Sequence, residues 1–534
     1  MRVGFATIYS WRPHVEHLYF LATLARKAGH QAFFLTCDGD LPTCYTRELR
    51  DKPAWRECLE CRLGGIRSYT SRNVSAIRQY SSASAQKVAV PPEWAYSSAS
   101  TLGRFESDTD YSGSDFATLA DRLYPAVQLT YDAACAWIRE TKLDAICVFN
   151  ARIDATRAIF EAAKALGIHV VSLERTWLGD GLQLLPGENC LGLRSLHALV
   201  EEWRERPLTR AQGMRAAAYV ARRFLRTNVS EWRAYNTNAR IVPWPITAAK
   251  RRILLIPSSR NEVWGHPDWA SAWSDPTEAY DALIAHFGLD RTDVLLRCHP
   301  NWGELVGKRD GALPEKHYSD WARRRDVLCI PSKDATSTLG LIQECDAIVV
   351  AHGSAALDAG ILGKQVIGTA LSHYQQAGFR DPARNARELS SLRLNVDLPA
   401  QDREQREREI AQRALRFCYT IAFRMAQYTR FVKADATTRF RYDFGADPGR
   451  FIDLLRGEPL SADDATWAAD PSGEDEVLEL IRQRRWDALQ PDSAGVGTDT
   501  TLRTLQRRLL LRPIDRIRRR KPLGDRLMME SQRS

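Results

Sequence analysis

The sequence predicts an α/β protein built from two Rossmann-like domains, followed by a helical C-terminal extension. Three observations carry this. Short apolar, β-branched runs alternate with helical patterns over residues 2–175. The alternation lapses into basic helices over residues 195–240, then restarts at Arg252 and runs to Gly368. Small or polar residues follow many of the apolar runs, where open α/β sheets bind their ligands.

The stretch Cys345–Gly368 shows the pattern best. Ala347 to Ala351 reads as a buried strand, His352-Gly353-Ser354 as a turn, and Gln365 to Gly368 as the next strand. Ser354 suits the N-cap of the helix between them, and Gly363 its stop. Such a turn lets backbone approach a ligand, and a helix N-terminus attracts phosphate. Asp358, one turn in, could reach a sugar hydroxyl. The alternative is an ordinary βαβ unit with no ligand.

Composition narrows the class. The chain has 534 residues, 44% hydrophobic and 26% charged, as expected of a soluble globular protein with two or three domains. No apolar run reaches the ~18 residues that a membrane span needs. The first residues read as a strand and lack the apolar core of a signal peptide, so a cytoplasmic protein is expected. Of the formal +9 charge, residues 501–534 supply eleven Lys/Arg against three Asp/Glu, a net +8. A basic appendage follows from this, and a nucleic-acid partner is not expected.

In chain order, residues 2–9 form a first strand, with His14 and Glu16 in the loop after it, and Gln31–Leu35 a second. His14 there reads equally as a general base or as a helix-capping group. Cys37, Cys44, Cys58 and Cys61 follow, spaced C-x6-C-x13-C-x2-C. In a reducing compartment they suggest a structural zinc, with free thiols or redox-sensitive pairs as the alternatives. Residues 66–115 read as an irregular, partly helical insertion or lid on the acceptor side. A helix over 114–141, a strand over 143–149, a helix to Gly167 and a strand over 168–173 complete the first domain's pattern. Glu174, at that strand's end, either deprotonates an acceptor hydroxyl or pairs with Arg152, Arg157 or Arg175.

The second domain offers strand ends at Ser258/Ser259, at His299 and at His352/Ser354, which would line one crevice. Three converging polar ends favour a nucleotide site. The expected boundaries are 1–245 and 246–400 for the two domains. A long helix within 401–445 returns across them, 446–500 is a linker with one helix, and 501–534 is the basic tail.

The chain resembles bacterial capsule and surface-polysaccharide glycosyltransferases of GT-B architecture. The residues that carry the likeness are Arg12-Pro13-His14-Val15-Glu16, the four cysteines, Asn150-Ala151-Arg152 with Arg157, and Glu174-Arg175. To these add Pro257-Ser258-Ser259, Arg297-Cys298-His299-Pro300-Asn301 and Gly353-Ser354 with Asp358. The His-Pro motif is similar to that of transferases using cytidine-linked donors, Kdo transferases among them. The resemblance implies two Rossmann-like domains facing a central cleft, with Arg297, His299, Pro300, Asn301, His352, Gly353, Ser354 and Asp358 on the nucleotide-sugar side. It implies a glycan or lipid-linked acceptor, with Glu174 or His14 as base. Asp38-Gly39-Asp40 is the nearest match to an Asp-x-Asp metal motif and belongs with the cysteines, so no catalytic metal is expected. The rival readings are a CDP-polyol phosphotransferase and a non-catalytic assembly subunit.

In the tail, arginines from Arg503 to Arg520 and Lys521 interleave with leucines and isoleucines. The pattern predicts a basic amphipathic helix at the inner face of the cytoplasmic membrane. A solvated tail and a helix docked on another subunit are the alternatives.

Overall fold

A computed structural model of the protein describes residues 1–50, 52–69, 71–81, 89–228, 231, 238–490 and 501–512. The first sheet holds β1 (Arg2–Ala6), β2 (Gln31–Thr36), β3 (Val74–Ala76), β4 (Ala145–Phe149), β5 (His169–Arg175) and β6 (Leu182–Pro186), in the order β3-β2-β1-β4-β5-β6. Only β6 runs antiparallel, pairing Glu174 with Gln183. The second sheet holds β7 (Ile253–Ile256), β8 (Val294–Arg297), β9 (Leu328–Ile330), β10 (Ala347–Val350), β11 (Gln365–Gly368) and β12 (Arg380–Pro382). Its order is β12-β11-β10-β7-β8-β9, all parallel.

Counted from its own first strand, each sheet has the same doubly wound order. The chain reverses direction between β1 and β4 in one sheet and between β7 and β10 in the other, and crevices open at such points. The central strands are apolar throughout because helices cover both faces: all residues of β4, β7 and β10 are buried. The architecture is a two-domain α/β fold of GT-B type.

The regions outside the sheets differ from expectation. The returning helix spans Ala400–Tyr419, widens into a π-helix over Thr420–Met425 and stops at extended Ala426. An antiparallel hairpin follows, β13 (Val432–Ala436) with β14 (Arg439–Tyr442). Residues 446–490 are no linker. The helix Gly449–Leu455 buries Phe451 completely, 6.3 Å from Phe5 of β1. The helix Ser472–Arg482 lies against Arg210–Phe224, and its fully buried Glu474 carries an ion pair with Arg416 at 2.7 Å. The tail is not an amphipathic helix where it is described. Residues 501–508 run extended, with Arg503 bridged to Tyr442, and a short 3-10 turn covers Leu509–Leu511. The basic stretch from Pro513 onward lies outside the described residues.

The insertion packs on the first domain, where Arg152 donates to Ser97 and Thr101, and its residues 96–112 also form a strap onto the second domain. Ser100 Oγ donates to Asn261 O at 2.9 Å. Arg104 donates to Asn301 O and Glu304 O, both at 2.8 Å. Tyr111 stacks on Trp264 with 4.1 Å between centroids. Glu106, 1% exposed, accepts from the Tyr318 hydroxyl at 2.8 Å and from Arg260 N at 3.1 Å. Burial pushes its carboxyl up to about 7, against the opposing pull of those two donors and of nearby His317 and Arg260.

The folded protein therefore holds this proton between about pH 4.5 and 7, where the unfolded chain has lost it. Stability is expected to fall as pH rises through that window, by up to about 3 kcal/mol in all, and then to level off. Urea unfolding across the window should show that slope flattened in Glu106→Gln.

Candidate active site

On the first domain, the site gathers where β1, β4 and β5 end. His14 opens the helix His14–Lys27, is 5% exposed, and packs against Phe149 with 3.9 Å between ring centroids. Its Nε2 lies 3.4 Å from Glu174 Oε1. Burial, then His17 and Arg175, hold the imidazole well below its usual pKa, so it is neutral at pH 7. The contact joins a neutral imidazole to a carboxylate and is no ion pair.

Glu174 keeps 22% of its side chain open, against 6% for His14. Its Oε2 accepts from Asn150 Nδ2 at 2.9 Å and its Oε1 from the Arg175 amide at 3.0 Å. Burial raises its pKa, and those two donors oppose the rise. Asn150 also turns the chain: its Oδ1 accepts from the amides of Arg152 and Ile153 at 3.1 and 3.3 Å. Asn150 and Ala151 both adopt left-handed backbone, φ 63° and 58°, a conformation that costs non-glycine residues about 1–3 kcal/mol each. That strain sits beside the carboxylate it positions. Arg152 is held by Ser97 and Thr101, and Arg157 pairs with Glu161.

On the second domain, several expected ligand residues are spent on building the loops. Ser258 Oγ accepts from the amides of His352 and Gly353 at 3.2 and 3.0 Å, stitching the ends of β7 and β10 together. Ser259 Oγ accepts from Trp302 Nε1 at 3.0 Å. Arg297 is turned away from the cleft. It is 2% exposed and donates to the carbonyls of Pro331 and Asp334, so it holds the turn after β9. His299 Nδ1 accepts from Asn301 N at 3.1 Å and caps the 3-10 turn that Pro300 opens. Ser354 is exposed and has helical backbone, so its hydroxyl makes no cap, and the helix Ala355–Ile361 is short.

Asp358 does not face a sugar. It is 5% exposed, and its Oδ1 accepts from Arg223 Nη1 at 2.7 Å. Arg223 Nε also donates to both oxygens of Glu231 at 3.0 Å. Two carboxyls share one guanidinium: burial lifts the Asp358 pKa, while the two acids hold Arg223 firmly charged.

The sequence reading missed the aromatic residues that join the two domains beside Glu174. Trp177, three residues past Glu174, meets His373 of the second domain edge-on at 4.7 Å. Trp269 touches both His373, at 5.2 Å, and His352, at 5.5 Å. His373 is 8% exposed, and neither ring nitrogen has a hydrogen-bond partner among the described residues. Burial, then His352, Arg380 and His197, hold it well below its usual pKa; burial, Arg380 and His299 bring His352 to about 4. Arg380 Nη1 reaches Ser372 Oγ at 3.1 Å and Nη2 the Ala370 carbonyl. It lies across Gly368, where any Cβ would strike the guanidinium. Two imidazoles, kept neutral mainly by burial, thus meet Trp177 and Trp269 beside the Arg380 guanidinium, which supplies a positive charge there. The signal in the sequence was Ser372-His373-Tyr374, just beyond β11.

The four cysteines come together, but not as a metal site. Cys37, Cys44, Cys58 and Cys61 line an enclosed cavity of about 30 Å³, with Tyr9 and Thr36. Among the described residues, no three His, Cys, Asp or Glu side chains are grouped so that they could hold a metal ion. Burial pushes the Cys37 thiol up to about 11 and Cys44 to about 12, and Cys61 Sγ turns to the Ile8 carbonyl at 3.9 Å. The set does not fit the tetrahedral zinc expected of it.

Asp358→Ala is expected to cost about 3–5 kcal/mol of stability, because Arg223 is left buried and short of one acid. Nucleotide affinity of the folded variant should be unchanged. Chemical denaturation and calorimetric titration separate this from the ribose role, in which affinity would fall and stability hold.

No family model matches the chain. No curated protein matches it either. Among solved structures it is similar to Thermosulfurimonas dismutans KpsC, a β-Kdo 2,4 transferase, at 15% identity and TM-score 0.32, over 60% of this chain and 84% of that one. It is similar to MurG of Acinetobacter baumannii at 10% identity and TM-score 0.26, over 78% of this chain and 94% of that one. A UDP-N-acetylglucosamine 2-epimerase from Neisseria meningitidis matches at 12% identity and TM-score 0.26, over 79% of this chain and 98% of that one. The two-domain architecture itself rests on the strand orders given above.

Proposed function

We propose that the protein is a glycosyltransferase that moves a sugar from a nucleotide-linked donor to a hydroxyl of a growing surface glycan. One observation carries the reading. Glu174 stands at the end of β5 with 22% of its side chain open, and three residues on Trp177 meets His373 of the second domain at 4.7 Å, so the loop that carries the carboxylate lies against the loop that carries the imidazoles. A base on one domain, and imidazole donors with the Arg380 guanidinium on the other, are the two halves of a group transfer to a hydroxyl.

In this reading the acceptor hydroxyl lies at Glu174, with Asn150 and the Arg175 amide fixing the carboxylate. The acceptor oxygen attacks the anomeric carbon and its proton passes to Glu174. The bond from that carbon to the donor phosphate oxygen breaks, and the nucleotide leaves with the electron pair. His299, His373 and Arg380 stabilise the charge on the departing phosphate. His14, neutral and nearly enclosed, orients Glu174 and is not itself the base. Proton transfer asks for a carboxylate whose pKa has been lifted toward the working pH, as burial does here.

A cytidine-linked donor and an acidic sugar such as Kdo rest on the His299-Pro300 motif. A lipid-linked or oligosaccharide acceptor of capsule or lipopolysaccharide type rests on the same resemblance. Among the described residues, no helix is long and apolar enough to cross a membrane. We place the protein peripherally at the cytoplasmic membrane face, where such acceptors lie, with the basic residues after Pro513 contributing attraction. The donor phosphate is assigned to side chains and not to a divalent metal, so turnover is expected to survive EDTA.

Glu174→Gln should lower kcat by about a hundred- to ten-thousandfold with KM little changed, measured with a cytidine-linked donor. His373→Ala and His299→Ala should each cost about a hundredfold or more. CMP should raise the melting temperature more than UDP or GDP does. No stabilisation by any nucleotide would overturn the reading. Release of CMP with the sugar carried as a phosphodiester would replace it with polyol-phosphate transfer.

A further inference from the structure

Four of the most exposed large apolar side chains gather where the tail meets the first domain. Trp55 and Leu59, 70% and 48% exposed, stand one turn apart on the helix Ala54–Gly64. Leu509 and Leu510, 72% and 89% exposed, tip the turn at Leu509–Leu511. The tail is tied to the C-terminal end of that helix, one turn past Leu59, and to the turn that follows. Arg507, 2% exposed, donates to Leu63 O in the last turn of that helix at 2.6 Å. Arg508 donates from its amide to Ser68 O at 2.8 Å and from Nε to Tyr69 O at 3.0 Å.

Charge around this apolar face is mainly positive, and Asp38, which lines the same surface as Trp55 and Leu59, is paired with Arg67 at 2.7 Å. Residues 503–512 include four arginines and no acidic residue. Arg56 and Arg62 lie exposed on the helix. Its own acids are neutralised: Glu57 is buried against Arg50 at 2.7 Å, and Glu60 meets Lys52 at 2.9 Å. Beyond the described residues, 513–534 adds seven Lys/Arg against three Asp/Glu.

We propose that this face, built from Trp55, Leu59, Leu509 and Leu510 within an arginine border, docks the protein on an anionic lipid bilayer. Protruding leucines and an indole with guanidinium groups around them match the apolar interior, interface and charged headgroups of a leaflet in that order. A glycan platform would instead need aromatic faces with polar side chains between them, and leucine tips offer neither. The face also lies at the right end of the fold. The helix packs over the loop Thr7–Ser10 that leads from β1 toward His14, so docking would bring the acceptor side of the cleft near the membrane. This deepens the peripheral placement proposed above by assigning it to a built surface of folded residues.

The test is sedimentation of the full-length protein with vesicles of phosphatidylcholine mixed with phosphatidylglycerol, against phosphatidylcholine alone. The parent should bind the mixed vesicles and not the neutral ones. The double variants Trp55→Ser with Leu59→Ser, and Leu509→Ser with Leu510→Ser, should each bind about tenfold or more weakly. Their folding is checked by an unchanged nucleotide-induced rise in melting temperature, since none of the four residues touches the cleft. Parent-like binding by both variants would overturn the proposal and leave the residues after Pro513 as the anchor. A parent that ignores vesicles but whose indole fluorescence responds to an acidic oligosaccharide would overturn it in favour of glycan binding. Loss of the nucleotide response in the parent would sink the transferase reading alone, because sedimentation does not depend on it.

Discussion

A single guanidinium under the cleft sets the geometry of much that lies above it. Arg223 belongs to the first half of the chain, Asp358 to the second, and they meet at 2.7 Å with both side chains nearly out of water. Charges so buried are costly to dehydrate and tolerate no loss of a partner. Asp358 stands one turn inside the helix after β10, so the pair fixes where that helix begins. Gly353 is then held from two sides, its amide by Ser258 and its carbonyl by the Tyr374 hydroxyl at 3.2 Å. His373 is the neighbour of Tyr374. The position of His373 thus follows from a contact that never reaches the ligand.

Polar residues at the ends of the strands divide into two kinds. Ser258, Ser259 and Arg297 have found partners inside the protein, and their hydrogen-bonding capacity is spent on loops that would otherwise leave buried amides and carbonyls unsatisfied. Glu174 and His373 are held by packing or by one or two donors and keep capacity to spare. A buried imidazole with two unpaired nitrogens is expensive to keep unless something else completes it. At His373 both nitrogens are left over, whereas Ser258 and Ser259 are committed to neighbouring loops.

Local signals were enough for much of the architecture. The helix Ser114–Thr141 and the strand Gln365–Gly368 lie where periodicity puts them, because each is bounded by a glycine or a polar turn. Glu174 and His14 were legible as a pair of candidates because both follow strands, and the structure does bring them together. What failed was everything decided by a distant partner. Asp358 sits 135 residues from Arg223, and Arg104 sits 197 residues from Asn301. The edge strand β3, at three residues, is too short to show a period, and β6 is recognisable only once Glu174 has a neighbour to pair with. The cysteines were close in sequence and are close in space, yet proximity did not give them ligand geometry.

The way the chain returns to its beginning has a consequence for how it is made. Tyr442 hydrogen-bonds His17 at 2.9 Å across 425 residues of sequence, Phe451 packs near Phe5, and Arg507 closes over Leu63. The first sheet leaves the ribosome early, but the residues that cover its face leave it last. At ~5–20 residues per second, synthesis of that interval takes roughly 20–90 s. For that time a nascent Rossmann-like sheet stands with an apolar side uncovered, while the second domain, whose strands and helices are consecutive, can complete itself. The half that is translated first is the half that matures last, and a ribosome stalled near residue 440 would release a chain whose N-terminal half is the part exposed to aggregation.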